Sequence, residues 1–125
     1  MTLESQVIQV NEYELADTAD AFVEAITALA DRTERDGHPG VLGYRFYVNY
    51  AEQTAGAVIQ YEDADAWLAH HQMAYQWDEM PTLQSTVSLK RLILLGPLNE
   101  GILAMIDGAP FEVVRFDTLA SGFVR

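Results

Sequence analysis

Apolar and polar positions alternate, imperfectly, over residues 5–15, a stretch rich in β-formers, and predict a half-buried first strand. Asp17 and Thr18 then offer N-cap oxygens, with Asp20 and Glu24 near the start of the following helix. Phe22, Ile26 and Leu29 recur at helical spacing among alanines, which predicts an amphipathic helix over 18–35, stopped by Asp36-Gly-His-Pro-Gly40. Residues 41–50 alternate well, with Leu42, Tyr44, Phe46, Val48 and Tyr50 on one face and Val41, Arg45, Tyr47 and Asn49 on the other. Residues 56–62 read as a third strand, paired with the second as a hairpin. Asp63 caps a second helix from Ala64, apolar on two stripes: Trp67, Leu68, His71 and Tyr75, then Ala66, His70, Met73 and Trp77. Pro81 breaks or re-aims it, and residues 86–95 form the most apolar strand, ended by Gly96-Pro97.

The order β-α-β-β-α-β predicts an α+β fold of the ferredoxin-like type, with both helices on one face of an antiparallel sheet. Such a sheet needs one apolar face. Here the second face also carries Val41, Tyr47, Val58, Leu92 and Leu94, more than a monomer leaves in water. A second copy stacked on that face would cover it, so a homodimer is expected. Residues 97–125 form a C-terminal helix–strand extension on the 5–95 core. Leu98, Ile102, Met105 and Ile106 keep helical spacing, and 111–116 reads as a fifth strand, pairing within the subunit or across the dimer.

Composition narrows the function. The chain has 125 residues, the length of one domain, spanning 1–125. It contains no cysteine, so disulfides, zinc-thiolate sites and cysteine nucleophiles are absent, and a reducing cytoplasm is the default expectation. Nineteen acidic residues against seven basic ones give a net charge of −12 and no basic patch, which argues against nucleic acid or an anionic membrane surface as a partner. No apolar run reaches the roughly 18 residues of a membrane span, and the N-terminus lacks the pattern of a signal peptide.

Several of these segments resemble a known family. Gly37-His-Pro-Gly-Val-Leu-Gly-Tyr-Arg-Phe46, Val58-Ile-Gln-Tyr-Glu-Asp63 and Ala66-Trp-Leu-Ala-His70 are similar to the antibiotic biosynthesis monooxygenase (ABM) family of the dimeric α/β-barrel superfamily. The carrying positions are Pro39, Gly40, Leu42, Tyr44, Tyr61, Asp63 and His70, and the ending Thr118-Leu-Ala-Ser-Gly-Phe-Val-Arg125 resembles a subset of such proteins. The resemblance implies a homodimer of face-to-face sheets and a pocket between each sheet and its helices. It also implies a cofactor-independent monooxygenase acting on a small aromatic quinol or polyketide-like phenol. The superfamily equally contains isomerases, haem degraders and proteins without known activity, so a non-catalytic ligand-binding or stress-associated dimer is the alternative.

Under the resemblance His70 is the base, since a histidine near neutral pKa can deprotonate a phenol. The plainer alternative is a packed core histidine, and His71 competes for the place in the pocket. Trp67 and Tyr75 would hold an aromatic ring, unless they only fill the core. Asn11 or Arg91 would stabilise a developing oxyanion, with Arg91 ahead of Arg45 because its neighbours are apolar. An Asn–Trp–His set also occurs in the haem-degrading branch, but there the histidine lies further along the helix, near the place of Trp77. His38, His70 and His71 make no metal motif, because adjacent helical histidines point about 100° apart.

Overall fold

The chain runs through β1 (Val7–Leu15), α1 (Ala19–Asp36), β2 (Val41–Asn49), β3 (Thr54–Tyr61), α2 (Ala64–Ala74), α3 (Glu79–Gln84), β4 (Val87–Leu95), α4 (Glu100–Ile106) and β5 (Glu112–Phe116) in the computed structural model, which describes residues 2–125. A single sheet of order β2-β3-β1-β4-β5 results. Its first four strands are antiparallel in the ferredoxin-like order, and β5 adds to β4 in parallel. The fold is therefore α+β and ferredoxin-like, with the expected helix–strand extension, and β5 pairs within its own subunit.

Local chemistry sets the elements. The Thr18 hydroxyl accepts from the Ala21 amide at 3.1 Å, and the Asp63 carboxylate from the Ala66 amide at 2.8 Å, so both caps lie where the sequence puts them. Gly40, in the turn just before β2, lies against α2: a Cβ there would lie 2.6 Å from the Ala66 Cβ and 2.9 Å from His38 Nδ1. Pro81 does not break a helix. The break is at Tyr75–Asp78, and Pro81 sits in the first turn of α3, where its missing N–H has no intrahelical partner to lose.

Two bulges overturn part of the predicted face assignment. Between Val41 and Gly43 the register of β2 on β3 shifts, which turns Val41 toward the helices and leaves Leu42 45% exposed. Between Arg91 and Leu89 the register of β4 on β1 shifts in the same way. Leu92 and Leu94 therefore do not belong to the open face. They are buried in the core with Val7, Ile59, Tyr61, Trp67 and Ile102. The open face carries instead Ile8, Val10, Val58, Ile93, Leu95 and Val114, all half-buried, with Tyr47 and Phe116 exposed.

The extension docks through most of its predicted apolar stripe, but Met105 points away from the core and is 41% exposed. Ile102 is fully buried, and Leu98, Ile106, Phe111 and Val113 pack on the core. Docking stops after β5: Phe123 and Val124 are 75% and 70% exposed. No helix among the described residues is long and apolar enough to cross a membrane.

Candidate active site

On the helix-facing side of β1 the side chains run Val7, Gln9, Asn11, Tyr13, Leu15. Two apolar ends thus flank three polar residues at positions a core strand normally fills with aliphatics. The three line a cavity of about 250 Å³ between the sheet and α2 and α3, closed by Tyr44, Phe46, Ile59, Leu83, Leu89 and Phe111. Its volume lies just under the roughly 300 Å³ at which drug-sized ligand pockets begin, so it suits a small, largely apolar ligand.

The polar residues form a chain of hydrogen bonds with a fixed direction. The Trp67 indole N–H, which can only donate, donates to Gln9 Oε1 at 2.8 Å. Gln9 Nε2 donates to Asn11 Oδ1 at 2.9 Å, and Asn11 Nδ2 donates to the Tyr13 hydroxyl oxygen at 2.6 Å. Burial pushes the Tyr13 phenol up to about 12, so it keeps its proton at neutral pH.

Both helical histidines line the cavity. His70 is 3% exposed, and its Nδ1 is buried with no hydrogen-bond partner among the described residues. His71 stacks on Trp67 at 3.7 Å between ring centroids, with its Nδ1 2.7 Å from the Trp67 carbonyl oxygen. A carbonyl only accepts, so Nδ1 of His71 carries the hydrogen and Nε2 of the neutral ring holds a lone pair. Burial lowers His70 to about 4, with a further lowering from His38. It lowers His71 to about 3, against the bond to Trp67 that favours the charged form. Both rings are neutral at pH 7.

The expected site residues are thus divided. His70, Asn11 and Tyr75 line one cavity, with Tyr75 at its mouth and 53% exposed. Trp67 is 3% exposed beneath the site and reaches it through Gln9 and His71. Arg91 is not brought to the cavity. The bulge in β4 turns it to the open face, where it lies 3.4 Å from Glu12 and 3.7 Å from Glu112. Gln9, Tyr13 and Phe111 were not foreseen. The polar run at alternate positions of β1 was the available signal for the first two, whereas Phe111 reaches the cavity only through the fold of the extension. Among the described residues no cluster of three His, Cys, Asp or Glu side chains is placed to hold a metal ion.

The same architecture occurs in solved proteins. MupZ from Pseudomonas fluorescens superposes with a TM-score of 0.72 at 17% identity, over 98% of this chain and 93% of that one. SnoaB from Streptomyces nogalater, a cofactor-independent oxygenase, superposes with a TM-score of 0.58 at 15% identity, over 72% of this chain and 90% of that one. The chain has the ABM-type fold. A candidate antibiotic biosynthesis monooxygenase from Caulobacter crescentus superposes similarly, with a TM-score of 0.54 at 15% identity over 73% of this chain and 86% of that one. The match to MupZ takes in the C-terminal extension, while the other two cover a share about the size of the β1–β4 core. No family model and no curated protein sequence matches the chain.

Proposed function

We propose that this protein is a cofactor-independent monooxygenase acting on a small aromatic quinol or polyketide-like phenol. The observation that carries the reading is the cavity itself: aromatic and aliphatic walls enclosing a polar row and two neutral buried histidines. Fold kinship with the oxygenase SnoaB supports it. A flat ring would lie against Tyr44, Phe46 and Phe111. The His70–His71 pair takes the proton of the acidic C–H or O–H. His70 is the residue the family pattern points to, and His71 has its Nε2 lone pair set by the Trp67 carbonyl. The resulting enolate is electron-rich enough to reduce dioxygen. The peroxide so formed on the ring carbon loses water to leave a carbonyl. One oxygen atom enters the product, the other leaves as water, and the substrate supplies all the electrons.

The low basicity of both histidines favours a second reading, a non-catalytic binding protein with the same pocket. Oxygen uptake with naphthoquinols and anthrones, set beside ligand-induced thermal shifts, separates the two. Shifts without uptake favour the binding protein.

The assembly belongs to the proposal. Two copies of the chain, taken as one domain over 1–125, stack through their open sheet faces. Among the described residues the half-buried row Ile8, Val10, Val58, Ile93, Leu95 and Val114 lies on the sheet face opposite the packed core, with only Leu3, Glu4 and the tail around Leu119 lying beside its Ile8–Leu95 end.

A further inference from the structure

We propose that Gln9 is a positioning residue: it sets the direction of the Trp67–Gln9–Asn11–Tyr13 chain, so that the cavity offers hydrogen-bond donors, and hence a place for a carbonyl or anionic oxygen of the ligand, at Asn11 and Tyr13. The inference rests on the cavity being a ligand site, as in the reading above.

The direction follows from which groups can donate. The indole of Trp67 has a hydrogen and no lone pair in the ring plane, so the atom of Gln9 that meets it at 2.8 Å is the oxygen. The Tyr61 hydroxyl approaches the same oxygen at 3.4 Å. Gln9 is 5% exposed, and its amide nitrogen therefore faces along the strand to Asn11, whose side-chain oxygen accepts from it at 2.9 Å. Asn11, also 5% exposed, is then turned with its nitrogen toward Tyr13. The Tyr13 oxygen accepts that bond, which leaves its own hydrogen to donate elsewhere. The second amide hydrogen of Asn11 is likewise uncommitted. Both residues line the cavity. A row of four side chains thus transmits one fact, that indole only donates, to the place where a ligand oxygen would sit. Preorganised donors of this kind favour the charged form of such an oxygen, because they need no reorientation when the charge appears.

Gln9 itself can be reversed. Glutamate at this position still accepts from Trp67 but cannot donate to Asn11. Asn11 then turns to donate to the new carboxylate, and Tyr13 donates back to Asn11. The Tyr13 hydrogen is then committed and the Asn11 oxygen lies where its nitrogen was, so the Tyr13 end of the cavity has lone pairs in place of hydrogens, while the free Asn11 N–H moves toward residue 9. Gln9→Met removes the chain without adding charge.

The probe is juglone, a hydroxynaphthoquinone whose phenol changes colour on ionisation. It is already a quinone, so it reports binding without turnover. Saturating wild-type protein is expected to lower its ionisation midpoint by about one pH unit, roughly a tenfold preference for the anion. Gln9→Glu should abolish the shift, and Gln9→Met should remove most of it. Loss in both variants separates the direction of the chain from simple repulsion by a new charge. The Trp67 indole N–H should exchange slowly with D2O in the ligand-free protein and remain slow in Gln9→Glu. Should Gln9→Glu not fold, Gln9→Met alone decides. An unshifted juglone midpoint in the wild type, an unchanged shift in Gln9→Met, or a freely exchanging Trp67 indole each overturns the inference. A protein that shifts juglone yet consumes no oxygen with any quinol keeps the relay and loses the monooxygenase.

Discussion

His71 is held by Trp67 twice: its ring stacks on the indole at 3.7 Å between centroids, and its Nδ1 donates to the carbonyl of the same residue at 2.7 Å. One residue thereby fixes both the plane and the tautomer of the histidine, while its indole N–H fixes Gln9 on the strand below. Trp67→Phe keeps a stacking surface and removes the donor. It leaves Gln9 Oε1 buried without its short bond, which costs about 1–3 kcal/mol. A urea titration checks this, and a variant as stable as the wild type would show that the bond contributes nothing.

His70 behaves differently. Its Nδ1 is buried and meets no partner, so replacing the ring with an apolar one of similar size removes a desolvated group and breaks no bond. His70→Phe is expected to match or exceed the wild-type melting temperature, whereas His71→Phe loses the bond to the Trp67 carbonyl and is expected to fall below it. A strongly destabilised His70→Phe beside an unperturbed His71→Phe would reverse the roles assigned to the two rings.

Stability should depend on pH through the same pair. Both pKa values lie below the unfolded value near 6.5, at about 4 and about 3. Between pH 6.5 and 4 the unfolded chain binds protons that the folded one refuses, so acid favours unfolding. The contribution is fully present above pH 6.5 and declines as pH falls, by about 1 kcal/mol per pH unit for each histidine. Denaturant midpoints measured from pH 7.5 to 5 should fall in the wild type and fall less steeply in a His70→Phe/His71→Phe double variant. Parallel slopes would contradict the burial of both rings.

Much of this was legible before folding. Caps at Thr18 and Asp63, the stripe Phe22-Ile26-Leu29 and the hairpin over 41–62 each follow from local chemistry, and each stands where the sequence puts it. The bulges were not legible. Each inserts one residue into the strand; Gly43 at the first and the consecutive charges Lys90-Arg91 at the second are the only local marks, and neither fixes where the register shifts, so Val41, Leu42, Arg91, Leu92 and Leu94 changed faces together. Arg91 left the candidate site for that reason alone. The site was half legible: the helix repeat brings His70 and His71 to one region, but only pairing across the sheet reveals that Gln9, rather than the wall of the cavity, receives Trp67. The imperfect alternation of the first strand was the trace of the polar row.

The extension carries structure as well as surface. Ile102 is fully buried, and β5 covers the edge of β4. Ile102→Ala should cost about 2–5 kcal/mol. Truncation after Gly96 exposes that edge, removes Phe111 from the cavity, and should lower the melting temperature sharply or yield insoluble protein. A truncated chain that melts like the full one would show the docking of the extension to be energetically empty.

The open sheet face gives the assembly prediction. Light scattering at micromolar concentration should return about twice the 14.0 kDa chain mass. Val10→Lys, in the middle of that face, should return the monomer. A 14.0 kDa species for the wild type across that range would contradict the stacked-sheet dimer.

If the cavity oxidises an electron-rich aromatic with dioxygen and nothing else, an oxygen electrode will read it with the purified wild type, the His70→Phe/His71→Phe double variant, and a panel of anthrones and naphthoquinols. Uptake above the uncatalysed rate is expected for at least one substrate in the wild type, with one dioxygen consumed per carbonyl formed, and only the uncatalysed rate in the folded double variant. Uptake that is equal in the two proteins, or absent from the wild type across the panel while the same compounds raise its melting temperature, would contradict it.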